Sequence, residues 1–190
     1  LECYNRVMTS FNDFLFTSFL DPVAKGYSEI LPEPARIGIS NFFDNITFPL
    51  RFVNNILQFK FDYAAEETGR FLLNSTVGIL GFMDPASEQF NLKERKEDFG
   101  QTLAYYGVGS GVHIVLPIYG PSNVRDFAGS FADAYISPLN HSGDLKYKIP
   151  NRLEKTLAIS TFNTVNRTSL NLGQYQNLKK DAIDLYPFLR

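Results

Sequence analysis

Between Tyr4 and Leu20 the apolar residues Val7, Met8, Phe11, Phe14, Leu15 and Phe19 recur at steps of three and four, with Arg6, Ser10, Asp13 and Thr17 on the other side. That period predicts an amphipathic helix. Asp21-Pro22 reads as an N-cap followed by proline at the first helical position, so a second short helix is expected to begin there. Pro32 and Pro34 mark a third start, after which Ala35, Ile39, Phe42, Phe43 and Ile46 form one stripe. Pro49 should end or kink that helix, and Phe52, Val53, Ile56 and Leu57 resume the stripe beyond it. The opposite side carries Asn41, Asp44, Asn45, Arg51, Asn54, Asn55 and Gln58, so this helix pair is half phenylalanine and half amide.

A further helix is expected over Asp62 to Leu73, where Glu66 precedes Arg70 by four residues, the favourable order for an ion pair. Val77 to Pro85 is apolar and broken by glycine, and the charge run Lys93 to Asp98 reads as a solvated turn before a helix over Phe99 to Tyr106. Gly107 to Gly111 then leads into Val112 to Pro121, where glycine and β-branched residues predict a loop or extended hairpin. Helix is expected again over Ser122 to Ile136, a loop over Ser137 to Pro150, and two weakly amphipathic helices over Arg152 to Leu172 and Gln174 to Leu185. The chain shows no internal repeat.

Composition narrows the function classes. A chain of 190 residues fits a single domain that buries about 70% of its unfolded surface. Lys and Arg total 18 against 20 Asp and Glu, so no positive field draws a nucleic acid. The 18 Phe and 10 Tyr stand beside no Trp, an apolar load carried by large rings. No run approaches the ~18 apolar residues of a membrane-crossing helix. The start, Leu1-Glu2-Cys3-Tyr4, has no export-signal pattern, and the lone Cys3 excludes an internal disulfide, a cysteine zinc site and a CxxC pair.

Catalytic constellations fail on spacing. A dinucleotide fingerprint needs a strand before G-x-G-x-x-G and a helix after it, whereas Val112 stands at the third glycine and the order is helix, loop, extended chain. Ser110 has Val108 and Val112 where a nucleophile elbow has glycines. His113 and His141 lack partners at metal-ligand spacing, and a lipid hydrolase would need a nucleophile paired with one of them as its base. Glu66, Glu67, Asp126 and Asp133 read as helix caps or surface ion pairs. Four Asn-x-Ser/Thr sequons occur, at Asn45, Asn74, Asn140 and Asn166. Two architectures remain: a Phe-rich helical bundle, which composition favours, or a domain with an exposed or channel-lining apolar surface.

Three segments carry a family resemblance. Phe99 to Gly111, with its Tyr105-Tyr106-Gly107-Val108-Gly109-Ser110-Gly111 run, continues through Leu116 to Asp126 and resembles the central signature of the MlaA (VacJ) outer-membrane lipoproteins. Tyr4 to Asp13, Asp21 to Ala24 and Pro34 to Phe42 resemble the family's opening, and Arg70 to Asp84 its middle. The resemblance is strongest over residues 1–136; residues 137–190 diverge, although Asp181 to Tyr186 resembles the last helix.

The resemblance implies an all-α, ring-shaped single domain over 1–190, with amphipathic helices around a central channel and one glycine-rich hairpin loop. It implies no enzyme, no cofactor, no metal and no nucleic acid. The implied role is to remove mislocalised phospholipid from the outer leaflet of the Gram-negative outer membrane and pass it to the periplasmic carrier MlaC. The protein would sit in the inner leaflet on the periplasmic side, beside a porin trimer. Asn41, Phe42 and Phe43 would gate the channel and bind lipid; Tyr106, Gly107, Val108, Gly109 and Gly111 would form the flexible hairpin at its mouth. Cys3 stands where the family has a small residue, so an acylation site would lie upstream. The alternatives are a porin-binding scaffold that moves no lipid, and a lipid hydrolase.

Overall fold

The computed structural model describes residues 1–142 and 148–189. Helix α1 (Glu2–Leu15) runs through a π-helical turn (Phe16–Leu20) into α2 (Asp21–Ile30), a continuous rod where two helices were expected. Pro22 lacks an N–H and its ring would crowd the carbonyl one turn back. The wider π turn just before it, closed by the Asp21 N–H onto the Phe16 carbonyl, adjusts the spacing, and Asp21 caps nothing. Pro34 sits in the first turn of α3 (Glu33–Ile46), and Pro49 in that of α4 (Phe48–Leu57), with a break at Thr47.

Helix α5 (Phe61–Thr76) is followed by turns and the short α6 (Pro85–Glu88). Helix α7 (Phe99–Tyr105) begins at Asp98, whose carboxylate accepts the Gln101 N–H at 2.7 Å. Strands β1 (His113–Leu116) and β2 (Gly120–Asn123) pair antiparallel, Val115 opposite Pro121, so the expected hairpin forms. Its second strand takes Ser122 and Asn123, and α8 (Val124–Ile136) starts two residues later than expected, capped by Asn123. The expected loop over 137–150 lies partly outside the described residues. Helix α9 (Leu153–Leu170) follows, then α10 (Gln174–Asp181) and α11 (Leu185–Leu189). The single last helix is therefore two: Asp184 pairs with Arg6 at 2.6 Å and accepts the Tyr186 N–H at 3.2 Å, starting a new helix there.

Contacts between elements close a circuit. Helix α2 packs on α9, α9 on α3, α3 on α4, α4 on α7 and α8, α8 on β2, and the hairpin on α1, which continues into α2. At the α7–α8 crossing a Cβ on Gly129 would stand 2.6 Å from the Gly100 nitrogen, so only glycine permits that approach.

The polarity of the interior reverses the compact Phe bundle that composition favours. The buried apolar side chains among the described residues are Ala24, Phe43, Ala64, Ala86, Val115 and Tyr186. Enclosed with them are Asn5, Thr9, Asn54, Asn55, Gln58, Glu67, Arg70, Asn74, Thr102 and Asn166, each at most 7% exposed. Meanwhile Phe11, Phe14, Phe19, Phe59, Phe61 and Leu72 face outward. The α1 stripe is thus real but turned out, with Asn5 and Thr9 on the packed side.

Buried polar groups must pair, and they do so across elements. Asn5 accepts the Val115 N–H at 2.9 Å and donates to the His113 carbonyl at 3.1 Å. Thr102 donates to Asn54 at 2.8 Å, and Gln58 donates to Thr102 and Glu97. Asn45, Asn74 and Asn166, three of the sequon asparagines, are likewise used inside, on Ser75, Asp84 and the Arg36 carbonyl. The Glu66–Arg70 pair is absent: Glu66 meets Arg95 at 2.7 Å, while Arg70 turns in to Asp84 at 3.0 Å. Residues 93–98 form no solvated turn either. They run extended because Glu94 and Glu97 face inward to Arg51 and Lys60, and the Arg95 N–H donates to Glu67 at 2.6 Å.

Candidate functional site

Three cavities adjoin α4 in succession. The first, about 90 Å³, is lined by Asn41, Asn45, Arg51, Arg70, Asn74 and Asp84 among others. Arg70 donates to Ser87 at 2.6 Å and to the Leu92 carbonyl, while its Nε is buried without a partner among the described residues. Burial would raise the Asp84 carboxyl, but hydrogen bonds from Ser87, Asn74 and Arg70 outweigh it and hold it below the usual range.

The second cavity, about 270 Å³, shares Asp44, Arg51 and Glu94 with the first. Charge of both signs lines it, including Arg51, Arg167, Glu94 and Asp98. Arg51 is itself buried: its Nε pairs with Glu67 at 2.6 Å, and its Nη1 donates to the Asp44 carbonyl and Thr47 hydroxyl.

The third cavity, about 660 Å³, shares the lining residue Leu50 with the second. Its wall is built from Leu116, Tyr119 and Pro121 of the hairpin, Phe127 and Phe131 of α8, and Leu157 of α9. Phe127 and Phe131 meet edge to face at 5.2 Å. That volume falls within the ~300–1,000 Å³ of ordinary ligand pockets. Asp133 supplies a polar spot in this wall: it accepts the Phe99 N–H at 3.0 Å and the Asn54 amide at 3.2 Å. Burial pushes its carboxyl up to about 6, against the lowering effect of those two hydrogen bonds.

His141 also lines this cavity, and its Nδ1 lies 3.2 Å from the Thr156 hydroxyl, a neighbour that sequence spacing does not reveal. The same hydroxyl accepts the His141 backbone N–H at 3.0 Å, tying the loop to α9. No carboxylate orients the other ring nitrogen among the described residues. Glu67, expected at a surface or a cap, is fully enclosed against Arg51.

The sequence-expected residues fall in two places, neither of them the wall of the large cavity. Asn41 lines the small polar one and donates weakly to the Phe82 carbonyl at 3.4 Å. Phe42 stacks on Phe82 at 4.9 Å, and Phe43 is buried against Phe162 of α9 at 6.1 Å. On the other side, Tyr106 donates to the Leu57 carbonyl at 2.6 Å. Gly107 and Gly111 hold φ of +84° and +70°, and a Cβ on Gly107 or Gly109 would meet nothing within 4 Å. Val108 is exposed. The segment is anchored below by the Arg125 N–H on the Ser110 carbonyl at 3.2 Å. Leu50, Phe127, Phe131 and Arg167 are the lining residues that sequence reasoning missed. The four-residue spacing of Phe127 and Phe131 was the available signal.

A family model described as MlaA lipoprotein matches residues 1–190. An uncharacterised protein of Rickettsia bellii is 33% identical over 190 residues, which cover 100% of this chain and 71% of that protein. The intermembrane phospholipid transport system lipoprotein MlaA of Escherichia coli is 38% identical over 143 residues, 74% of this chain and 57% of its own length. The protein of the same description from Haemophilus influenzae is 36% identical over 141 residues, 73% and 56% of the two chains. The chain thus matches just over half the length of these two relatives. A solved structure concerning the structural basis for maintenance of bacterial outer membrane lipid asymmetry is similar over 100% of this chain and 92% of its own. Its TM-score is 0.79, at 31% sequence identity.

Proposed function

Because the chain belongs to the MlaA lipoprotein family, we propose that it carries phospholipid between the outer membrane and the periplasm, through a passage that the circuit of helices encloses. The observation that carries the reading is that Leu50 lines both a cavity walled by Phe127, Phe131 and Leu157 and one walled by charge, so an apolar and a charged space lie on either side of one residue. A two-part cavity of that kind matches an amphiphile with acyl chains at one end and a charged headgroup at the other. The outward Phe of α1 gives the molecule an apolar belt suited to lipid.

In this reading lipid that has strayed into the outer leaflet descends the passage to a periplasmic carrier, and a porin trimer is the neighbour in the membrane, as the family implies. The process is movement, without bond making or breaking. Asn41, Phe42 and Phe43 act on the passage from behind its wall, since Phe43 packs on Phe162 and α9 contributes Thr156, Leu157 and Ser160 to the lining. Tyr106 to Gly111 is the movable rim, free of neighbours at Gly107 and Gly109.

Native mass spectrometry of the protein in mild detergent should find phospholipid bound in roughly stoichiometric amount. Gly107→Pro forces φ from +84° to about −65° and should abolish transfer to a carrier while leaving bound lipid in place. Normal transfer by this variant would remove the rim from the mechanism. Absence of bound lipid would overturn the reading, and release of lipid cleavage products would restore the hydrolase.

A further inference from the structure

The charged cavity also bears on which headgroup enters it, an inference that rests on the lipid-carrying role just proposed. Its cations are Arg51, Lys96 and Arg167, and its carboxylates Asp44, Glu94, Glu97 and Asp98, one negative charge in excess. The carboxylates are not equally engaged. Asp44 is held by Arg167, Glu97 by Lys60 at 2.6 Å, and Asp98 by the N-terminus of α7. Glu94 is the exception. Its Oε1 is buried with no hydrogen bond among the described residues, 3.5 Å from Arg51, and its Oε2 is met by the Lys96 ammonium at 3.2 Å. The Lys96 side chain is 65% exposed and moves away at little cost, since a surface ion pair contributes only ~0–1 kcal/mol.

Glu94 is therefore a carboxylate on the cavity wall that already carries an ammonium, delivered by an exposed side chain. Arg51 supplies the opposite charge beside it. With Nε and Nη1 occupied, its Nη2 makes no hydrogen bond among the described residues, although the side chain is only 9% exposed. An anion acceptor and an ammonium acceptor stand within one cavity, which shares Leu50 with the apolar one.

We propose that this cavity selects a zwitterionic phosphoethanolamine headgroup over an anionic phosphoglycerol one. The phosphate faces the free edge of Arg51, and the ligand's ammonium displaces Lys96 from Glu94. An anionic headgroup gains the first contact and meets the surplus carboxylate in place of the second.

The test equilibrates the purified chain with mixed vesicles of equal phosphatidylethanolamine and phosphatidylglycerol of matched acyl chains. The protein is then recovered and its bound lipid quantified. The expected result is an enrichment of phosphatidylethanolamine of about fivefold, the scale of one partly screened charge pair. Glu94→Gln should return the ratio to that of the vesicle. Lys96→Gln, on an exposed side chain that the fold does not require, should raise the enrichment by removing the competing ammonium. Lipid bound at the vesicle ratio, or a preference unchanged in Glu94→Gln, overturns the headgroup site and leaves lipid carriage standing. No bound lipid of either kind overturns both.

Discussion

Glu67 shows at the scale of one residue how an inside-out protein holds itself together. It is fully enclosed, with Oε2 on Arg51 and Oε1 on the Arg95 N–H, each at 2.6 Å. Removing one member of a buried pair strands the other, at a cost of about 3–5 kcal/mol. Glu67→Gln should therefore lower unfolding free energy by about 3 kcal/mol in detergent. The double variant with Arg51→Met should lose clearly less than the sum of the two single changes, as a thermodynamic cycle on denaturant unfolding would read. Additive losses would show that the pair does not interact. Asp133 behaves oppositely. Its folded value near 6 lies above its unfolded value of about 3.9, so between those pH values the folded state binds more protons than the unfolded chain. Stability therefore falls as pH rises from about 4 to 6, by roughly 1–2 kcal/mol once solvent screening of this half-buried carboxyl is discounted, and is flat above. Asp133→Asn should show no such slope.

At the scale of elements, local chemistry decides most of what sequence reading finds, the Asp21-Pro22 start apart. Pro34, Pro49, the helix start at Phe99 and the hairpin all stand where the residues imply. It fails where a distant partner decides. The break before α11 needs Arg6 to hold Asp184, and the extended run over 93–98 needs Arg51 and Lys60 to draw in Glu94 and Glu97; none of these pairs is local. The hairpin turn is the sharpest case. Ile118 holds φ of +72°, which a β-branched residue resists, and it is held there because its N–H donates to Asn12 at 2.7 Å. Asn12 in turn donates to the Leu116 carbonyl at 2.8 Å. Ile118→Asn keeps both bonds and tolerates that conformation, so it should stabilise the protein by about 1 kcal/mol, seen as a raised unfolding midpoint. An unchanged or lowered midpoint would mean that the exposed Ile118 side chain contributes more than the strain removes.

For the whole molecule, the 3.6-residue period revealed the stripes but not their direction, because an apolar face turned in and one turned out share the same period. The excess of Phe was the bulk clue, and only coordinates show Asn5, Asn54 and Glu67 inside while Phe14 is 55% exposed. Exposed apolar rings of this kind mark a surface that meets either membrane or another protein. The sequence provides a clean way to ask which, since it contains no Trp. Phe14→Trp, on the outward face of α1, should emit at shorter wavelength when lipid vesicles are added and should be quenched by brominated acyl chains. Phe43→Trp, at a buried position against Phe162, should respond to neither. Phe14→Ala should weaken vesicle partitioning about tenfold, the effect of roughly 1.5 kcal/mol of lost ring burial, without loss of helix by circular dichroism. If the tryptophan at position 14 ignores the vesicles, the outward rings must be covered by protein, and a partner subunit would have to take the place assigned to lipid.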